Sequence, residues 1–205
     1  MQPSFLFFDL GNVLCRFSHE RMARQMAEAA GIAPERAWQI LFDEGLEWAY
    51  ERGELTPEAF HAAFCQRAGA NVPADRLEAA GNDIFELNVP IVALLGNLSL
   101  AGCRMGVLSN TSPSHWRHCT ERFAILNTQF ALHVLSYECG AIKPDRKIFE
   151  CAVQRVGLPP ERLFFVDDRP DNVAAAAAAG WDAVVYHSVS QLNEALRSRG
   201  IVTNF

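Results

Sequence analysis

The chain has 205 residues, half of them hydrophobic and 20% charged, with a formal net charge of −6. That length and mix suit one soluble domain, or one domain carrying a sizeable insertion, and exclude a disordered or fibrous chain. The acidic balance argues against a nucleic-acid partner, whose phosphates select basic stripes, and no apolar run is long enough to span a bilayer.

The first buried element is predicted at Phe5–Leu10, where the apolar run FLFF meets a single carboxylate, Asp9. An acid at the carboxyl end of a buried strand sits where open α/β sheets hold their ligands. Residues 16–87 then form no convincing strand and greatly exceed the dozen or so residues a crossover needs. They read as a helical insertion. One helix starts after Ser18 as N-cap and ends near Gly31, and a second runs from Pro34 to about Arg52. A third opens on Thr56-Pro57-Glu58, an N-cap, a proline at N1 and a first-turn acid; a weaker fourth covers Ala74–Ala80. Trp38, Phe42, Leu46 and Tyr50 share a helical stripe that suits the core of the insertion, leaving Trp48 or Glu44 free to reach a substrate.

Four more short apolar segments read as buried strands of a parallel sheet: Arg104–Ser109, Ala131–Ser136, Leu163–Val166 and Ala183–Tyr186. Helical patterns at Pro90–Leu100, Ser114–Phe123, Arg146–Val156 and Asn172–Ala179 alternate with them, and Gly180 stops the last, alanine-rich one. The predicted fold class is α/β: a doubly wound, Rossmann-like parallel sheet built from residues 1–15 and 88–205, with a small inserted helical cap at 16–87.

Polar groups gather at the ends of these elements: Asp9, Ser109-Asn110 after GVL, Lys143-Pro144, and Asp167-Asp168 after LFFV. Two adjacent carboxylates raise each other's pKa unless a cation offsets them, and Mg²⁺ takes one or two carboxylates together with phosphate and water. An ammonium and a hydroxyl complete an inventory suited to phosphate and metal. His115 and His118, three residues apart, lack a third ligand and read as core or surface residues. Six cysteines (Cys15, Cys65, Cys103, Cys119, Cys139, Cys151) form no C-x-x-C pair and read as buried or free thiols in a reducing compartment. The N-terminus shows no basic region or cleavage site of a signal peptide, so a cytoplasmic protein is expected.

The strings FDLGNV, ERGELTPEAF, VLSNT, KPD-x-x-IF and FF-x-DD-x-x-DN resemble, in order, the motifs of the haloacid dehalogenase (HAD) superfamily with a C1-type cap. They resemble most its bacterial sugar-phosphate phosphatases of the α-D-glucose 1-phosphate type. The resemblance implies a phosphoric monoester hydrolase acting on a small phosphorylated metabolite, with Asp9 as nucleophile forming an aspartyl-phosphate. It also implies that Ser109, Asn110 and Lys143 hold phosphate, and that Asp9, the Gly11 carbonyl, Asp168 and Asp167 surround Mg²⁺. Asp171 and Asn172 would support that set.

Gly11 departs from the family pattern, which has an acid two residues after the nucleophile. A general acid contributes about 10²–10⁴-fold, so its loss implies either a slower phosphatase suited to anomeric leaving groups or a phosphate-binding domain without catalysis. Restoring the acid with Gly11→Asp is expected to help poor leaving groups. A 2-haloacid dehalogenase is a further alternative, disfavoured by the paired acid. Asn12 serves either to orient a ligand or to accept a left-handed turn. Oligomeric state is left open.

Overall fold

A computed structural model describes residues 2–203. The chain opens with strand β1 (Phe5–Phe8), followed by the two-residue strand β2 (Cys15–Arg16). The insertion contains α1 (His19–Ala30), α2 (Pro34–Trp38), a π-helical turn (Gln39–Asp43), α3 (Leu46–Glu51), α4 (Pro57–Ala68) and α5 (Ala74–Asn82). Strand β3 (Glu86–Leu87) and helix α6 (Val89–Leu100) return to the core. Then come β4 (Met105–Ser109), α7 (Pro113–Arg122), α8 (Ile125–Thr128), β5 (Leu132–Leu135) and α9 (Ser136–Cys139). The chain ends through α10 (Arg146–Val156), β6 (Leu163–Asp167), α11 (Pro170–Ala178), β7 (Asp182–Val185) and α12 (Val189–Ser198).

Five strands form one sheet in the order β5-β4-β1-β6-β7, and every pairing in it is parallel. Successive side chains of a strand face opposite ways. Leu6 and Phe8 therefore join Val107, Phe164 and Val166 in one core, while Phe5 and Phe7 join Leu108, Leu163 and Phe165 in the other. Both faces are apolar and covered, as a buried parallel sheet requires. The carboxyl ends of β4, β1 and β6 lie side by side and carry Ser109, Asp9 and Asp167.

The helix ends follow the sequence signals. Ser18 Oγ accepts the Arg21 N–H at 3.1 Å and Thr56 Oγ1 accepts that of Ala59 at 3.2 Å, each filling an orphan donor. Three expectations are corrected. The helix expected from Pro34 to Arg52 is broken, because the chain passes through a π-turn and then Gly45 at φ +75°. The linkers to the insertion contain two short strands, with Cys15 opposite Leu87 and Arg16 opposite Glu86, where none was expected. Finally, Cys139 and Cys151 are joined as a disulfide with Cα atoms 6.3 Å apart. The turn after α9 brings the end of α9 against the middle of α10, which a twelve-residue spacing does not reveal. Cys15, Cys65, Cys103 and Cys119 are free.

Candidate active site

Asp9 follows β1 and is 7% exposed. Its Oδ1 accepts the Leu10 N–H at 2.7 Å and lies 2.7 Å from Lys143 Nζ. Lys143 comes from the loop between α9 and α10, just before the N-cap Asp145. Its ammonium also donates to Asp167 Oδ2 at 2.6 Å and to the Leu108 carbonyl at 3.0 Å, so all three of its protons are used. One lysine thus ties together the ends of β1, β4 and β6.

Asp167 is fully buried and its acceptor sites are committed. Asn172 Nδ2 lies 3.0 Å from both oxygens, and the Arg169 N–H reaches Oδ1 at 2.8 Å. Asp168 has one such tie, from Asn12 Nδ2 at 2.9 Å. Asn12 has φ +54°, the left-handed conformation its residue type tolerates, and this turn aims its amide at Asp168. Asp171 turns away to pair with Arg169 at 2.7 Å.

Ser109 Oγ donates to the Asn110 carbonyl at 3.1 Å. It does not cap the following helix; Ser112 does, accepting the His115 N–H at 3.4 Å. The Asn110 side chain clamps the lysine backbone from both sides. Its Oδ1 accepts the Lys143 N–H at 2.7 Å and its Nδ2 donates to the Lys143 carbonyl at 3.0 Å. This clamp has no sequence signal, since 33 residues separate the partners.

The electrostatics are unbalanced. One oxygen from each of Asp9, Asp167 and Asp168 lies within 4.8 Å of the others, with a single ammonium among them. Burial raises Asp9 to about 7 against the pull of Lys143, and Asp167 pushes it further up. Burial is also the largest cause of the upward shift of Asp168, which Asn12 opposes and Asp167 reinforces. Burial pulls the Lys143 ammonium down, but the Asp9 and Asp167 carboxylates outweigh it and hold it above its usual value. A cluster of three carboxylates against one lysine is a donor set of hard oxygens short of positive charge, which suits a hard divalent cation.

A cavity of about 30 Å³ adjoins the cluster, lined by Gly11, Phe17, His19, Glu51, Ser109 and Asn110 among others. Glu44, an expected candidate, is turned outward to Arg36 at 2.6 Å. Trp48 packs on Phe42 and His19, with ring centroids 5.6 and 5.9 Å apart. Sequence reasoning missed Glu51 and His19, which do face the cavity. His115 is buried with its Nδ1 3.7 Å from Glu47. Among the described residues, the only cluster of metal-binding type is the three aspartates.

Residues 5–180 match the sequence profile described as haloacid dehalogenase-like hydrolase. The glyceraldehyde 3-phosphate phosphatase of Methanopyrus kandleri is 31% identical over 77% of this chain and 70% of its own length. The rhythmically expressed gene 2 protein of Drosophila melanogaster is 27% identical over 60% of this chain, and the match spans only 53% of that protein. Among solved structures, a HAD family enzyme from Bacteroides thetaiotaomicron in complex with magnesium and inorganic phosphate superposes with a TM-score of 0.79. It is 25% identical, with 91% of this chain and 95% of that one covered.

Proposed function

The chain belongs to the haloacid dehalogenase-like hydrolase family, and from that premise we propose that it is a Mg²⁺-dependent phosphomonoester hydrolase of a small phosphorylated metabolite, a sugar phosphate in particular. The observation that carries this reading is the lysine bridge: Lys143 Nζ stands 2.7 Å from Asp9 and 2.6 Å from Asp167 at the carboxyl edge of the sheet, with Asp168 beside them. The magnesium and phosphate of the Bacteroides enzyme and the activity of the Methanopyrus relative support it.

In this reading Asp9 is the nucleophile. An Oδ of Asp9 attacks phosphorus, the bond to the leaving oxygen breaks, and an aspartyl-phosphate forms, as carboxylates do in covalent phosphoryl transfer. Lys143 offsets the charge of nucleophile and phosphate, and Asn110 keeps its backbone in place. Ser109 and the Asn110 N–H bind phosphate oxygens. Asp9, Asp168 and the Gly11 carbonyl would hold the metal. Asp167, whose oxygens already serve Lys143, Asn172 and Arg169, acts as the anchor of the lysine. Mg²⁺, when bound, supplies the positive charge the carboxylate cluster lacks and polarises the phosphoryl oxygens. The helices at 16–87 form the cap that excludes water and selects the substrate.

The test is phosphate release from a panel of sugar phosphates and p-nitrophenyl phosphate, with Mg²⁺ and with EDTA, for the wild type and Asp9→Asn. Metal-dependent release that vanishes in Asp9→Asn is expected. Unchanged release in that variant overturns the mechanism, and no release by the wild type overturns the function.

A further inference from the structure

Gly11 leaves position 11 without a side chain, and the surroundings explain why one is missing. A Cβ built there lies 2.7 Å from Phe17 Cε1. The Phe17 ring occupies the space an acid would use, packed against His19 and Phe85 with centroids 4.9 and 6.0 Å apart. The same cavity receives one other acid. Glu51, the last residue of α3, is 8% exposed and lines the cavity together with Leu10, Gly11, Ser109 and Asn110.

The backbone beneath Glu51 is held firmly. Ser136 Oγ donates to the Glu51 carbonyl at 2.6 Å and accepts the Thr111 N–H at 3.0 Å, fixing the end of α3 to the loop after β4. The Glu51 carboxyl itself has no hydrogen bond or ion pair with any described residue. A buried carboxyl without a protein partner, facing a reaction cavity, is placed to exchange a proton with whatever enters.

We propose that Glu51 is the general acid–base of this site, delivering from the insertion the proton that position 11 cannot. The inference rests on the phosphomonoesterase reading. In the first step the Asp9 carboxylate bonds to phosphorus, the bond from phosphorus to the leaving oxygen breaks, and the Glu51 proton passes to that oxygen, releasing the alcohol. In the second the Glu51 carboxylate takes a proton from water as the water oxygen bonds to phosphorus. The bond from Asp9 to phosphorus breaks, phosphate departs, and Glu51 is again protonated.

The groups around it agree. Burial and the Asp9 carboxylate raise Glu51 to about 7, against Lys143, Arg52 and Arg169, so near neutrality it can both give and take a proton. The two histidines at the cavity are poorer donors. Burial lowers His19, and it pushes His115 down to about 4, so both imidazoles are neutral at pH 7. An acid delivered from Glu51 also widens the substrate class, since departure no longer requires an anomeric oxygen.

The experiment compares wild type and Glu51→Gln, in Mg²⁺, on p-nitrophenyl phosphate and glycerol 3-phosphate. Glu51→Gln is expected to lose about 10²–10⁴-fold in kcat on glycerol 3-phosphate. On p-nitrophenyl phosphate, whose leaving group needs no proton, it should show a burst of one p-nitrophenolate per enzyme followed by slow turnover, because water is no longer activated. Equal losses on both substrates without a burst, or no loss, overturn the inference, as does a wild type that cleaves only the aryl ester. A wild type that releases phosphate from neither substrate overturns the phosphatase reading itself. Should Glu51→Gln fail to fold, the wild type decides alone across a series of aryl and alkyl phosphates. A shallow dependence on leaving-group basicity supports acid assistance, and a steep one overturns it.

Discussion

Asp167 and Asp168 are neighbours in sequence with opposite situations, and substitution should separate them. Asp167 is fully buried and holds Lys143, Asn172 and the Arg169 N–H; among the described residues, Asp168 takes a side-chain hydrogen bond from Asn12 alone. Asp168→Asn is therefore expected to raise the Mg²⁺ concentration for half-activation roughly 10–100-fold, the range typical of groups around a metal, with little change in Tm. Asp167→Asn should lower Tm instead, since it leaves a buried ammonium with one carboxylate where it had two. Magnesium titrations and melting curves of both variants check the assignment; reversed phenotypes would exchange the roles. The structure also revises the expectation for Gly11→Asp. The new side chain meets the Phe17 ring, so the single variant should lose about 1–3 kcal/mol to overpacking and gain no activity. Gly11→Asp with Phe17→Ala should recover part of that stability in urea unfolding; an additive loss from the two changes would place the strain elsewhere.

Helix α3 owes its reach into the site to how its end is anchored. Gly53 lies just past it at φ +71°, and a Cβ there would overlap the Tyr137 carbonyl oxygen. Gly53→Ala combines a disfavoured conformation with a backbone clash, each of order 1 kcal/mol or more. It should lower Tm and also reduce kcat by displacing Glu51, whereas a loss of stability alone would show that the helix end keeps its place. This element marks the limit of what the sequence revealed. Asp9, Ser109 and Asp167 were legible because each ends an apolar run, and strand ends meet at one edge of a parallel sheet. Lys143 and Asp168 followed from their motif context. The role of Glu51 was not legible even though it opens the ERGELTPEAF string, because a glutamate at the end of a helical pattern is not seen to enter the site until Ser136 and Tyr137 are known to lie beneath it. The Cys139–Cys151 pairing and the break at Gly45 were hidden for the same reason: each depends on where a turn sends the chain.

Buried acids couple the stability of the whole molecule to pH. Glu47 in α3 is 1% exposed, both its carboxyl oxygens lack a hydrogen-bond partner, and it borders a cavity of about 180 Å³ walled by Met22, Met26 and Leu77. Burial holds Glu47 well above the usual carboxyl range, with Glu51 adding to the shift. Burial also pushes the facing His115 down to about 4. Near neutrality the His115 imidazole is therefore neutral, and it faces a carboxyl that holds its proton more tightly than a free one, with 3.7 Å between them. In the unfolded chain Glu47 ionises near 4.5. Above that value the native state keeps a proton that the unfolded state has released, so stability is greatest below it and declines as pH rises toward the folded pKa. His115 acts in the opposite sense, since its folded pKa is depressed, but only between about 4 and its ordinary 6.5. Above 6.5 the acids act alone. Measured in EDTA, the Tm of the wild type should fall as pH rises above 6.5, and that of Glu47→Gln should fall less, because its amide has no proton to lose. Parallel melting curves for the two proteins would mean that Glu47 ionises as readily inside the fold as outside it. A shallower curve for the variant would identify the interior of the insertion as a source of the alkaline instability.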